Sequence, residues 1–237
     1  MGCVINKAIY SFHMPMYFIL SGYILKPESS SLYEYVRKKA KRVLLPALLL
    51  YFLTLPLFLH PHYLDYATAT PYSVIIEIFY LSGKCAYNGP VWFFFCMFQI
   101  LIITKLFELS NAKVTKIFII AITCLVLSYI FYELKWKYFN LLGFNKCVLG
   151  LFFYSFGMLL RRTKYEEYSF KVGISIAPVW LLFGVVLNEK VSMYGMGLGH
   201  YWFFIISGIT GSLVFFIISK FFENSSTVCT YANIQSL

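Results

Sequence analysis

The chain has 237 residues, of which 60% are hydrophobic and only 13% charged, and its mean hydropathy is +0.72. Soluble domains carry about a quarter charged residues, so this composition excludes a water-soluble globular protein and predicts an integral membrane protein. The net charge of +10 does not indicate nucleic-acid binding, because such a chain has no soluble basic face to hold a phosphate backbone.

Seven apolar windows are long enough to be membrane-spanning helices, and a shorter one, Tyr72–Leu81, is predicted to be re-entrant or interfacial. Backbone polar groups in hydrocarbon need internal partners, so we expect an all-α, multi-pass transmembrane bundle forming a single domain over residues 1–237. The predicted spans are Ile9–Leu25, Val43–Leu59, Val91–Phe107, Ile117–Tyr132, Cys147–Leu160, Val172–Leu187 and Tyr201–Ser219.

The positive charges predict an orientation. Fourteen of the 20 Lys and Arg residues fall in one set of loops and six, Lys146 among them, in the other, so the first set is assigned to the cytoplasm. The basic loop Lys26–Arg42 has apolar residues at helical spacing and is predicted to be an amphipathic helix on the cytoplasmic leaflet. The first span then starts outside after only a few residues. We therefore expect the chain to be a piece of a longer protein.

His13 is the predicted catalytic residue. An ionisable side chain within a span is a functional candidate, and a neutral imidazole is a general base near physiological pH. The predicted span places His13 near its outer end. The alternative is an interfacial histidine bonded to a backbone carbonyl that is freed by Pro15, which has no N–H.

Two pairs of residues near the predicted cytoplasmic face each have two interpretations. Ser21 is predicted to bind substrate, and the alternative is that Ser21 and Gly22 are small residues that allow close helix packing. Arg37 and Arg42 are the first and last residues of a basic run. This run either holds the phosphates of a nucleotide-like co-substrate or anchors the chain to the leaflet.

Two more substrate-binding candidates join Ser21. Glu77 lies in the short apolar segment, where a carboxylate either orients a histidine or binds a sugar hydroxyl, or is simply solvated at the interface. Trp92 opens a span and also fits an interfacial aromatic belt.

No metal site is expected. His60 and His62 have a weak spacing for metal ligands, and the six cysteines show no metal-ligand pattern. The cysteines inside spans are interpreted as small apolar residues, and a disulfide between Cys85 and Cys147 stays open.

Four stretches carry a more specific pattern. Ser11–Tyr23 reads SFHMPMYFILSGY, Arg37–Pro46 reads RKKAKRVLLP, Gly89–Phe94 reads GPVWFF and Phe153–Arg162 reads FYSFGMLLRR. The first resembles the second-span signature of the acyltransferase 3 family. The others resemble, in the same order, that family's basic loop, the opening of a later span and an aromatic span that ends in basic residues.

The resemblance implies transfer of an acyl group, usually acetyl from acetyl-CoA, to a hydroxyl of a cell-surface glycan or lipid-linked sugar. It implies a bacterial cytoplasmic (inner) membrane enzyme that has acyl-CoA as co-substrate and no bound cofactor. It puts His13 on the side where the acceptor arrives and Arg37 and Arg42 on the donor side. The family also carries an Arg and a catalytic His on a preceding span, so we expect the chain to lack that span. Because Tyr231–Leu237 resembles the opening of a further helix, we also expect it to lack the last spans.

Two non-enzymatic alternatives remain at this point. A transporter or flippase-like protein would distribute polar residues along a path through several spans. A structural protein, or an inactive fragment, would carry no transfer activity.

Overall fold

The computed structural model describes residues 2–58, 90–135, 141–163 and 170–223, and helices make up most of these ranges. The helices are α1 (Gly2–Tyr23), α2 (Leu32–Lys39), α3 (Leu45–Phe58), α4 (Val91–Leu106), α5 (Val114–Glu133), α6 (Phe144–Leu160), α7 (Phe170–Leu181) and α8 (Tyr201–Glu223). A π-helical stretch, Ala40–Leu44, joins α2 to α3, and another, Leu182–Val186, extends α7. The prediction of an all-α protein is confirmed.

A helix lies at each of the seven predicted spans. Two of them, Val114–Glu133 and Tyr201–Phe222, are long and apolar enough to cross a membrane. The largest difference is in α1, which begins at Gly2 rather than at Ile9. His13 therefore lies at the centre of this helix and not near one end. The predicted short segment at 72–81 falls outside the described residues.

α6 is the central helix of the described structure. Nearly all of its side chains from Asn145 to Leu160 are buried, and it packs against α1, α4 and α5. α1 in turn packs between α6 and α8. Two glycines allow the close approach of α1 and α6: a Cβ on Gly157 would lie 1.9 Å from the Ile19 carbonyl oxygen, and one on Gly22 would lie 2.0 Å from that of Tyr154.

The loop between α7 and α8 closes the bundle at the N-terminal end of α1. The Asn188 side chain organises this loop: its Oδ1 accepts from the N–H groups of Glu189 and His200, at 2.9 and 2.8 Å, and its Nδ2 donates to the Leu198 carbonyl at 3.2 Å. The Lys7 ammonium donates to the Asn188 carbonyl at 3.2 Å and ties α1 to the loop. The other end of α1 meets the basic loop and α2.

Candidate functional site

A cavity of about 570 Å³ opens beside the C-terminal end of α1. Its wall consists of Ser21, Ile24, Leu25, Lys26, Pro27, Glu28, Lys38, Lys39, Met97, Leu101 and Tyr154. The three lysines give the rim a positive charge, whereas Met97 and Tyr154 are buried and form part of the inner wall. The cavity therefore suits a ligand that has an anionic end and a less polar end.

The loop between α1 and α2 forms one side of this cavity, and its backbone holds it in place. The Arg161 guanidinium donates to the Leu25 carbonyl. The Lys105 ammonium donates to the Glu28 carbonyl at 2.7 Å. Hydrogen bonds from charged donors are stronger than those between neutral groups, so these two bonds fix the loop on α4 and α6.

α2 is positioned by its first turn and by one buried ring. Ser31 and Glu34 form a capping box, in which each side chain accepts from the backbone N–H of the other. Tyr35 is buried, with the ammonium groups of Lys39 and Lys105 4.9 and 5.7 Å from its ring centroid. Burial raises the pKa of Tyr35 to about 12, so the phenol stays neutral. This contact holds the lysine-bearing end of α2 at the rim.

Glu28 neutralises part of the positive rim. Its carboxylate accepts from the Lys38 ammonium at 2.5 Å and lies 3.6 Å from that of Lys39. The hydrogen bond from Lys38, followed by the charge of Lys39, lowers the pKa of Glu28 below its ordinary value. The carboxylate therefore occupies the position that an anionic ligand group would take between these lysines.

Tyr154 is a candidate residue for which the sequence carries no signal. It lines the cavity, it is fully buried, and its hydroxyl has no hydrogen-bond partner among the residues that the structure describes. The neighbouring Thr104 hydroxyl donates instead to the Ile100 carbonyl at 2.7 Å. A buried hydroxyl without a partner is unfavourable, so Tyr154 would be stabilised if the cavity opened far enough for a polar ligand atom to reach it.

Ser21 and Gly22 lie in different surroundings. Ser21 lines the cavity, as a substrate-binding residue would. Gly22 packs on the backbone of Tyr154, so the close-packing interpretation is confirmed for that residue.

His13 lies eight residues before Ser21 on the same helix, which corresponds to roughly 12 Å along the axis. Its ring is half-buried, with the Tyr10 ring edge-on at 4.9 Å between centroids. Nδ1 lies 3.0 Å from the Ile9 carbonyl oxygen. Because a carbonyl only accepts, Nδ1 carries the proton in the neutral ring and Nε2 keeps a lone pair. The carbonyl that Pro15 frees belongs to Ser11, so the predicted alternative does not explain this bond.

Trp92 is buried rather than interfacial. It packs against Phe18, and the Lys146 ammonium lies 5.6 Å from its ring and 5.3 Å from that of Tyr194. The sequence predicts that Lys146 lies in a loop, whereas in the structure it lies in the first turn of α6 and is buried. Desolvated cation–π contacts are favourable and contribute to its stability there.

The arginines predicted to bind the donor do not line the cavity. Arg37 and Arg42 are both exposed, and Lys38 and Lys39, which lie between them, reach the rim instead. The basic run thus supplies the site, but through different members. Glu77 lies outside the described residues, as do His60 and His62.

No metal-binding group was found in the described part of the chain: no three His, Cys, Asp or Glu side chains there lie close enough to hold an ion. Cys96, Cys124 and Cys147 are buried free thiols. Cys147 therefore does not form the disulfide that the sequence left open.

Comparison with known proteins identifies the family. A family model described as an acyltransferase domain matches residues 2–231. The chain belongs to the acyltransferase 3 family. This confirms the predicted family, and membership in the acyltransferase 3 family indicates a membrane-associated acyltransferase. Neither a curated protein nor a solved structure matches the chain.

Proposed function

We propose that the protein is a multi-pass O-acyltransferase of the bacterial cytoplasmic membrane, transferring an acetyl group from acetyl-CoA to a hydroxyl of a cell-surface glycan or lipid-linked sugar. The cavity between α1, α2, α4 and α6 is the observation that carries this proposal. Its rim holds Lys26, Lys38 and Lys39, and its wall extends inward to Tyr154, along the helix that carries His13. Charge counting assigns this rim to the cytoplasm, where acyl-CoA is available.

The donor is oriented by the two ends of the cavity. The lysine ammonium groups bind the phosphates through charge-assisted hydrogen bonds. The pantetheine arm, which is less polar, enters past Met97 and Leu101. The Tyr154 hydroxyl gains a partner when the inner wall opens and an amide or thioester oxygen of the arm comes to lie beside it. The arm then extends along α1 toward His13.

His13 acts as the general base in this proposal. Its Nε2 accepts the proton of the acceptor hydroxyl as the hydroxyl oxygen attacks the thioester carbonyl. The resulting tetrahedral intermediate expels the CoA thiolate, and the imidazolium returns the proton to that sulfur. The products are an O-acyl ester and free CoA. The Nδ1–H bond to Ile9 holds the ring in the tautomer that this step requires.

Four buried hydroxyls of the described helices give no support to a transport path. The hydroxyls of Ser11, Thr104, Ser207 and Ser212 each donate to a carbonyl three or four residues earlier in their own helix. A path for a polar cargo needs groups that face it, whereas these hydroxyls are directed to backbone carbonyls.

Transfer is tested with membranes that contain the protein, expressed with any coding sequence that precedes Met1. Labelled acetyl-CoA is added on the cytoplasmic face, and base-labile label is measured on the glycan fraction. We expect labelled ester in these membranes and none in membranes without the protein. A Lys38→Gln, Lys39→Gln double variant should raise the KM for acetyl-CoA about tenfold or more, because two charge-assisted contacts are lost. Absence of labelled ester in the extended protein would refute the proposal.

Glu28→Gln is expected to lower the KM for acetyl-CoA by about two- to fivefold, the range of an exposed ion pair. The carboxylate competes with donor phosphates for Lys38 and Lys39, and the amide does not. The loop keeps its position because the Lys105 bond goes to the backbone carbonyl. Steady-state kinetics at subsaturating donor measures the effect, and an unchanged or higher KM would show that Glu28 does not compete.

Glu189→Gln is the matched control, since it removes the same charge from an exposed residue of the loop after α7. Its KM should equal that of the unmodified protein.

The depressed pKa of Glu28 also sets a pH dependence. The stability that its ion pairs contribute is present above the unfolded-state carboxyl pKa and is lost as pH falls through the folded-state value. Acid should therefore reduce the melting-temperature difference between the protein and Glu28→Gln.

A further inference from the structure

A second, smaller cavity of about 220 Å³ lies on the other side of the loop that follows α1. It shares Leu25 and Pro27 with the larger cavity, so that these two residues form a common wall. Its remaining wall consists of Gly22, Ser110, Met158, Arg161 and Arg162. Two guanidinium groups and a hydroxyl thus line a space beside the lysine-rich rim.

The two arginines differ in what they already bind. Arg161 donates to the Leu25 carbonyl and is committed to holding the loop. The exposed Arg162 side chain makes no hydrogen bond or ion pair with any residue of the described ranges. A planar guanidinium binds a phosphate through two parallel N–H bonds, so Arg162 has the chemistry of a phosphate ligand.

The charges around the smaller cavity favour an anion. Glu108, exposed and two residues before Ser110, is the nearest carboxylate along the chain, and Glu28 across the loop is already paired with Lys38 and Lys39. Among the described residues that line the two cavities, Glu28 is the single carboxylate and five are cations: Lys26, Lys38, Lys39, Arg161 and Arg162.

We infer that the two cavities bind one ligand, with the smaller one taking the 3′-phosphate of coenzyme A. This rests on the proposed function. The diphosphate and the pantetheine arm occupy the larger cavity, and the ribose carries its 3′-phosphate past Pro27 to Arg162. A phosphate that branches from the ribose needs a separate binding point, and the shared wall provides that separation. The smaller cavity thus selects coenzyme A thioesters over donors that lack the 3′-phosphate.

The size of this selection follows from the contact. A hydrogen bond to a charged group contributes about 1.5–3 kcal/mol, and 1.4 kcal/mol corresponds to a tenfold change in affinity. Acetyl-3′-dephospho-CoA should therefore have a KM about tenfold or more above that of acetyl-CoA. Arg162→Gln should raise the KM for acetyl-CoA to about that of the dephospho donor and leave the KM for the dephospho donor unchanged.

Kinetics with both donors test the inference in the full protein and in two variants, Arg162→Gln and Lys113→Gln. Lys113 is exposed on the same face and lines neither cavity, so Lys113→Gln controls for the loss of one charge. A second measurement is competition by 3′,5′-ADP and by 5′-ADP. We expect 3′,5′-ADP to inhibit more strongly, and this preference to vanish in Arg162→Gln while it persists in Lys113→Gln.

The outcomes separate the two proposals. Equal KM values for the two donors, or a donor preference that survives in Arg162→Gln, would overturn the inference and leave the transferase intact. No transfer from either donor, together with no inhibition or binding by coenzyme A, would overturn the proposed function itself. A preference for acetyl-CoA that is lost in Arg162→Gln and kept in Lys113→Gln supports both proposals.

Discussion

Replacing His13 with alanine is expected to reduce kcat for acyl transfer by about 10²- to 10⁴-fold, the usual contribution of a general base. The imidazole Nε2 has a free lone pair in the tautomer fixed by the bond from Nδ1 to Ile9, and alanine leaves no group to accept the acceptor proton. Donor binding should be unchanged, because His13 lies roughly 12 Å along α1 from Ser21 at the cavity.

His200→Ala is the matched control for this experiment. His200 is an exposed histidine at the start of α8, and its ring contacts Phe203 with 5.0 Å between centroids. Its removal should leave kcat within about twofold, as surface substitutions usually do. Binding of 3′,5′-ADP, measured by fluorescence competition, should be equal in both variants. Full transfer by His13→Ala would show that the base lies elsewhere.

The second large effect is expected for Gly157→Ala. The new methyl group would lie 1.9 Å from the Ile19 carbonyl oxygen, and backbone cannot move aside as a flexible side chain can. α1 and α6 would have to separate, and the cavity between them would change shape. We expect a loss of about 3 kcal/mol in the free energy of unfolding, or a fall of roughly 5–10 °C in melting temperature.

Thermal unfolding of the detergent-solubilised protein measures this change. Gly195→Ala is the control, since no atom lies within 4 Å of the Cβ position and the glycine does not adopt a positive φ. That variant should have the same melting temperature as the unmodified protein. If both variants melted at the same temperature, the close contact between α1 and α6 would not limit stability.

The helices were predictable from the sequence because apolar windows of this length leave the backbone only one way to satisfy its own polar groups. The residues at which the helices begin and end were less predictable. The polar residues Asn6 and Lys7 lowered the apolar score at the start of α1, whereas in the structure Lys7 donates to the Asn188 carbonyl and the helix begins at Gly2. Lys146 was misplaced for a similar reason, since only the fold brings Trp92 and Tyr194 to it.

The site was predictable in its composition but not in its members. Ser21 and the basic run after α1 both contribute to the cavity. Which cations of the run face inward depends on the rotation of α2, and the burial of Tyr35 sets that rotation. The sequence predicts phosphate binding by Arg37, but its neighbour Lys38 is the one that faces Glu28 at the cavity. Tyr154 has no signal at all, because a tyrosine in an aromatic span looks like any other.

The two bonds that hold the loop after α1 both end on main-chain oxygens, those of Leu25 and Glu28. Every amino acid offers that same oxygen, so the anchoring does not depend on which side chains the loop carries. The two bonds therefore do not restrict which side chains stand at these two positions. A change of the Leu25 side chain would alter the wall of both cavities while the bond to its carbonyl is kept.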